Sequence, residues 1–216
     1  MLVTPLGGNG SAARGQAGLR LIPTVRLNEP NAWLLDQASR ANGGDAAWRA
    51  RKRAEARDLL ALSQIAPPGR LEVQMVDLRE RLRALLLLRV PVPRRPDANN
   101  VLRVADHALI ALVYPREVLS RPLPGPSFVQ ILDPHEVWHA NVAPGEQPLC
   151  LGAVLPCNVP AVELVLMTYD ALAMKIRQVN DRDEAGVFNA EAARWWAANL
   201  HRAPLAKSWF LEADAA

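Results

Sequence analysis

The spacing of apolar residues changes twice along this chain, and each change marks a different kind of element. Between Asp45 and Pro67 the apolar residues recur at the spacing of a helix, and Asp45 is a residue type that caps helix N-termini well. We therefore predict a helix that starts near Asp45 and ends before Pro67-Pro68-Gly69. The residues expected to face the core are Trp48, Leu59, Leu60 and Leu62.

A strand pattern follows this helix. Leu71, Val73 and Met75 alternate with polar residues, which is typical of a half-buried strand. Dense apolar runs predict further strands at 82–92, 101–113 and 128–132, with a turn at 96–100. The connections are too short for crossover helices, so we expect antiparallel pairing in a sheet of three to four strands.

Helical spacing returns after Cys150. One predicted helix carries Val162, Val165, Tyr169, Leu172 and Ile176. A last helix carries Phe188, Ala192, Trp195, Trp196 and Leu200. A helix, then strands, then two C-terminal helices predict an α+β fold. Residues 1–30, rich in Gly, Ala and Pro, are expected to be flexible or loosely packed, and residues 31–216 to form a single domain.

The composition excludes several classes of function. The net charge is only +3, and no dense basic stripe is interleaved with aromatic residues, so we expect no nucleic-acid partner. No apolar run is long enough to span a bilayer, and we expect no membrane contact and no signal peptide. Two cysteines in 216 residues do not make a disulfide framework, which favours a reducing cytoplasm.

The first predicted helix has a basic face. We expect this face to be solvated, or to dock an acidic partner surface. Its members are Arg49, Arg51, Lys52, Arg53 and Arg57.

Cys150 is the principal candidate for chemistry. It lies nine residues after Asn141, and Pro144 and Gly145 between them would turn the chain and bring the two together. A nucleophilic cysteine must be reachable and ionise readily. The alternative is a small buried apolar residue, which many free cysteines are. For Cys157, packing is favoured over a role as a second or resolving thiol.

A zinc motif overlaps this region. His135-Glu136-x-x-His139 would place two ligands on one face of a helix, with Glu136 as general base. The nearby Pro144-Gly145 pair would stop that helix early, and no third ligand has a recognisable spacing. A zinc hydrolase, or a structural site completed by Cys150 and Cys157, stays as an alternative, but the favoured prediction has no metal and no cofactor.

Several landmarks together resemble the ubiquitin-conjugating enzyme family over residues 45–200. They are Tyr114-Pro115, Pro122-Leu123-Pro124-Gly125-Pro126, His139-Ala140-Asn141-Val142, Leu149-Cys150-Leu151 and Asn189-Ala190-Glu191-Ala192-Ala193. The sequence departs from the family at Ala140, where the family has Pro. It departs again at Pro156-Cys157-Asn158-Val159-Pro160, where the family has Trp-x-Pro. These departures indicate a divergent bacterial member.

The resemblance implies a ubiquitin-conjugating-like fold and a transferase. Cys150 would accept a ubiquitin-like protein as a thioester from an activating enzyme and pass it to an amine of a protein acceptor. Asn141 would donate its side-chain amide to the oxyanion or to the cysteine loop, and Asp181 or Asp183 would orient the amine. His139 would be structural, bonding backbone groups.

The resemblance has two further implications. The basic helix face would dock the activating enzyme, and bacterial relatives occur in antiphage-defence operons. A non-catalytic binding module of the same fold, with Cys150 buried, is the alternative from another functional class.

Overall fold

Two helices precede the sheet in the computed structural model, which describes residues 25–175 and 187–213. Helix α1 spans Glu29–Arg40, and α2 spans Ala46–Ile65. The Asp45 side chain accepts a hydrogen bond from the Trp48 N–H, so the predicted cap is confirmed. The apolar pattern did not predict α1, a short helix of which only Leu35 and Ala38 are buried.

The strands are β1 Leu71–Asp77, β2 Leu82–Arg94, β3 Arg103–Tyr114, β4 Leu123–Pro124, β5 Val129–Asp133, β6 Pro148–Leu149 and β7 Val154–Leu155. Five of them form the main sheet, in the order β1-β2-β3-β5-β6, with every neighbouring pair antiparallel. The prediction of three to four strands was one short, because the edge strand β6 has only two residues. A two-stranded ribbon of β4 and β7 stands apart from the sheet.

Helices α3 (Ala161–Leu172) and α4 (Ala190–Ala198) follow the strands, as the spacing predicted, so the α+β class is confirmed. Within the described ranges no helix is long and apolar enough to cross a membrane. Short 3-10 turns lie at Arg116–Leu119, Gly125–Ser127 and Leu200–Arg202.

Helices α2 and α3 pack side by side on one face of the sheet and bury the apolar core. Glu55 of α2 joins them: its Oε2 accepts a hydrogen bond from the Ala161 N–H, 2.7 Å away, at the first turn of α3. Its Oε1 lies 2.7 Å from the Arg51 guanidinium. Burial is the largest effect on this carboxyl and raises its pKa. Because Pro160 cannot cap α3 with its own side chain, Glu55 satisfies a backbone donor that would otherwise be buried without a partner.

A second, smaller core holds α4 in place. Trp138, Met174, Ala192 and Trp196 pack together, and the Trp196 indole N–H donates to the Trp138 carbonyl oxygen at 2.7 Å. Trp138 follows β5 and precedes Cys150, so α4 is anchored to the irregular segment that contains the candidate chemistry.

Candidate functional site

A tight hairpin brings Asn141 and Cys150 side by side. The Cys150 N–H donates to the Asn141 carbonyl oxygen at 2.8 Å, and the Ala143 N–H donates to the Pro148 carbonyl oxygen at 3.1 Å. Gly145, in the turn between them, has φ +84°, a conformation that favours glycine. The approach expected from the Pro144-Gly145 turn is therefore present. We call residues 141–150 the cysteine hairpin.

His139 joins this hairpin to α3. Its Nδ1 accepts the Asn141 N–H at 3.0 Å, and its Nε2 donates to the Ala171 carbonyl oxygen of α3, also at 3.0 Å. These two bonds require the neutral ring with its proton on Nε2. Complete burial is the main cause that lowers the pKa of His139 to about 4. The imidazole thus joins the hairpin to α3 as an uncharged structural group.

Gln147, which the sequence analysis did not single out, fixes the other side of the cysteine hairpin. Its side chain is buried and reaches three backbone groups. The amide nitrogen donates to the Ile131 and Pro134 carbonyl oxygens at 3.2 and 3.0 Å, and the amide oxygen accepts the Val137 N–H at 2.9 Å. No local pattern marks a glutamine for this role, because all three partners lie ten or more residues upstream.

The thiol of Cys150 is covered in this structure. The residue is 5% exposed, and Sγ donates to the Gly152 carbonyl oxygen at 3.3 Å. The β4–β7 ribbon brings the Pro-rich segment against the residues that follow the cysteine. A Cβ on Gly125 would lie 2.0 Å from the Gly152 oxygen, so the two backbones touch. A buried thiol is what the packing alternative predicts. A nucleophile needs an accessible thiol, and the Cys150 thiol is not accessible in this structure.

Tyr114, the landmark at the end of β3, connects the sheet to the segment before α3. Its hydroxyl donates to the Val159 carbonyl oxygen at 2.8 Å and accepts from the Arg51 guanidinium, also at 2.8 Å. Burial raises the pKa of Tyr114 to about 12, so the hydroxyl stays protonated and keeps its donor role. Tyr114 is therefore a structural support for the 156–160 segment.

Cys157 is exposed, which corrects the prediction that it packs as a small apolar residue. The neighbouring Asn158 donates its N–H to the Val118 carbonyl oxygen at 2.7 Å, and its carbonyl accepts from Arg51 at 3.3 Å. Asn158 has φ +62°, so the chain turns sharply there, and this turn directs Cys157 outward.

The zinc motif does not form the helix that it requires. Residues 134–139 are irregular, and Glu136 has φ +58°, which is not a helical conformation. His135 and His139 therefore do not share one face of a helix. His135 is exposed, whereas His139 is buried with both ring nitrogens bonded to backbone. Among the described residues, no three His, Cys, Asp or Glu side chains are grouped so that they could hold a metal ion.

Only part of the predicted basic face of α2 is exposed to solvent. Lys52 is fully buried, and its ammonium donates to the carbonyl oxygens of Gly43 and Arg79 at 3.0 Å and to that of Leu78. Arg51 is half-buried by its bonds to Glu55 and Tyr114, and Arg57 is half-buried with a bond to the Val25 carbonyl oxygen. Arg49 and Arg53 alone of the five are exposed, because an α-helix turns the intervening positions towards the core.

Asp181 and Asp183 lie outside the described residues. The chain that follows them returns beside the cysteine hairpin: the N–H groups of Phe188 and Asn189 both donate to the Ala140 carbonyl oxygen, at 2.8 and 3.0 Å. Asn189 then caps α4, with its side chain accepting the Ala192 N–H.

Comparison with known proteins returned no match. No protein-family model matches the chain, no curated protein is significantly similar to it, and no solved structure significantly matches its fold.

Proposed function

We propose that this protein is a ubiquitin-conjugating-like transferase that carries a ubiquitin-like protein as a thioester on Cys150. The observation that carries the proposal is the cysteine hairpin, in which Cys150 pairs with Asn141 through a 2.8 Å backbone bond. These two residues belong to motifs that resemble those of the family, and the hairpin makes them neighbours in space.

The arrangement of the landmarks supports the same proposal. The Pro-rich segment forms β4 and packs against Gly152, two residues after the cysteine. His139 joins the hairpin to α3, and Tyr114 holds the segment that leads into α3. The Pro-rich segment and the His139-Ala140-Asn141-Val142 motif thus contact residues beside one thiol, which is expected if these motifs serve that thiol.

The chemistry would run in two steps. The Cys150 thiolate attacks the thioester carbonyl presented by the activating enzyme, whose own thiolate leaves. An amine then attacks the new thioester, and the Cys150 thiolate leaves. Asn141 is the candidate donor for the oxyanion of the second step. His139 is not a base for the amine, because both of its ring nitrogens are engaged.

Transfer would require the thiol to be uncovered. The β4–β7 ribbon contains only two residue pairs, Leu123 with Leu155 and Pro124 with Val154. Elements with so few contacts open at low free energy compared with a core. Opening of this ribbon when the activating enzyme docks would release the Cys150 thiol from Gly152.

Burial of Cys150 favours a second candidate function, a non-catalytic module that binds a partner through the same fold. At 5% exposure the residue resembles a packed apolar side chain more than a free nucleophile. In this case the hairpin and the ribbon would be scaffold, and no covalent adduct would form.

One experiment separates the two functions. The protein is incubated with ATP, an activating enzyme and a ubiquitin-like protein, and adducts are resolved with and without reductant. The transferase should form a reductant-sensitive adduct that Cys150→Ala abolishes, that Cys157→Ala retains and that Asn141→Ala discharges more slowly to amines. No adduct, together with retained binding of the ubiquitin-like protein, would establish the binding module instead.

A further inference from the structure

Two neighbouring hollows lie along α1 on the side of the molecule where β1 ends the sheet. One hollow, about 580 Å³ in volume, lies between α1, the C-terminal end of α2 and the first residues of β1. A second hollow of about 450 Å³ lies at the start of α1 beside Trp33. Pro30 and Leu34 line both hollows, so the hollows are neighbours along α1, and we call the two together the α1 groove.

The floor of this groove includes a free strand edge. Strand β1 is the outermost strand and pairs with β2 alone. No backbone group of residues 25–175 or 187–213 pairs with the outer edge of β1. A free edge presents N–H and C=O groups that an added strand can satisfy. Leu71, Glu72 and Val73 bring this edge into the groove.

The wall of the groove is fixed in position. The Asn31 side-chain amide donates to the Leu60 carbonyl oxygen at 3.1 Å and to the Gln64 side-chain oxygen at 3.2 Å. The same Gln64 oxygen accepts the Asn28 N–H at 3.0 Å. The first turn of α1 is therefore bound to the end of α2, and these bonds fix the position of the wall.

The groove has a definite chemistry. Trp33 is 61% exposed, a large aromatic surface of the kind that dominates binding interfaces. The charged residues that line the two hollows are Glu29 and Glu72, and neither hollow is lined by a Lys or an Arg. In a chain with a net charge of +3, this is a local acidic site beside an apolar one.

We propose that this groove binds an extended segment of a partner protein that carries alternating apolar and basic side chains. The segment adds to the outer edge of β1 as a sixth strand of the sheet. Its apolar side chains contact Trp33 and Leu34, and its basic side chains, which point to the other face of the added strand, face Glu72. A second copy of this chain fits less well, because a symmetric contact between two such grooves would bring acidic residues together.

A labelled nine-residue peptide of alternating valine and lysine tests the proposal, with binding followed by fluorescence anisotropy. Two control peptides have the same length: one replaces lysine with glutamate, and one is N-methylated along one edge, which removes the backbone donors needed for strand addition. We expect each control to bind at least about tenfold more weakly, since each loses either the charge attraction or the backbone bonds.

Protein variants locate the site. Trp33→Ala should weaken binding at least about tenfold, and Glu72→Lys roughly two- to fivefold. Glu117→Lys reverses an exposed acid outside the groove and should leave affinity unchanged. Cys150→Ser should also bind normally, so this result is independent of any thioester chemistry. Equal binding of the N-methylated peptide, or indifference to Trp33→Ala and Glu72→Lys, would overturn the proposal. So would a dimer in sedimentation that Glu72→Lys dissociates.

Discussion

The backbone N–H of Cys150 donates to the carbonyl oxygen of Asn141 at 2.8 Å, which makes these two residues cross-strand neighbours. The same hairpin is held by His139 on one side and by Gln147 on the other. Because its supports are buried, the geometry around Cys150 is set by the core, and changes that loosen these supports should alter the reactivity of the thiol.

The two thiols should react at different rates. Cys157 is exposed, whereas Cys150 is covered and bonded to the Gly152 carbonyl oxygen. We expect iodoacetamide to modify Cys157 at least about tenfold faster in the folded protein, because a buried thiol reacts only on opening. Peptide mass spectrometry over time measures both rates, and the difference should vanish in urea. Equal rates in native buffer would contradict the burial of Cys150.

Gly125→Ala should displace the ribbon. The new Cβ would lie 2.0 Å from the Gly152 carbonyl oxygen, so the backbone must move, at a cost of about 1–3 kcal/mol. The expected results are a lower unfolding temperature and faster alkylation of Cys150. Ser127→Ala, an exposed position in the same 3-10 turn, is the matched control and should change neither. A variant that loses stability while its Cys150 remains slow would show that the ribbon does not cover the thiol.

His139 should make stability depend on pH. Its pKa in the folded protein is about 4, against an ordinary value of 6.5, so the folded state binds this proton less readily than the unfolded state. His139 therefore makes its full contribution to the free energy of unfolding above pH 6.5. This contribution is lost as the pH falls towards 4, by about 3 kcal/mol in total.

Urea unfolding of the wild type and of His139→Gln at a series of pH values measures this contribution as a difference. The variant should be less stable at pH 7.5, and its deficit should shrink as the pH falls to 4. A deficit that stays constant would show that His139 titrates normally.

Lys52→Met should destabilise the fold although it keeps the length of the side chain. The Gly43 carbonyl oxygen would lose the ammonium as its donor, and the Leu78 and Arg79 carbonyl oxygens would keep only the Gly43 N–H, at a cost of about 1–3 kcal/mol. Arg53→Met on the exposed side of the same helix is the control, expected within about 0.5 kcal/mol of wild type. Chemical denaturation measures both. If Lys52→Met were neutral, the ammonium would not be the group that satisfies these carbonyls.

Arg49 and Arg53 should be the members of the basic helix face that act in docking, if the face binds an activating enzyme. Reversal of both to glutamate should weaken that binding about tenfold at low salt and less at high salt. The protein should keep its unfolding temperature, since both side chains are exposed. Surface plasmon resonance at two ionic strengths measures the effect. Unchanged affinity would place the docking surface elsewhere.

The elements with strong local signals were predictable. The Asp45 cap and the Pro67-Pro68-Gly69 stop delimit α2 in the structure as they do in the sequence, and the apolar runs delimit β2 and β3 to within two residues. Helix α1 was missed because it uses only two buried residues. Strand β6 was missed because two residues are too few to show the alternation of apolar and polar positions that is typical of a strand.

The candidate site was predictable only as a set of residues. Adjacent motifs and a Pro-Gly turn are local features, so the pairing of Asn141 with Cys150 could be anticipated. The environment of each side chain could not, because burial comes from distant parts of the chain. Cys150 is covered by a ribbon that starts at Leu123, and Lys52 is enclosed by the turn at Leu78.

The sequence by itself therefore determined the order of most elements, the class of the fold and the residues worth testing. Only the tertiary structure decided which of two cysteines is covered, that His139 holds a hairpin rather than a metal, and that β1 presents a free edge beside Trp33. Periodicity and capping act within a few residues, whereas exposure and hydrogen-bond partners depend on surfaces brought together from across the whole fold.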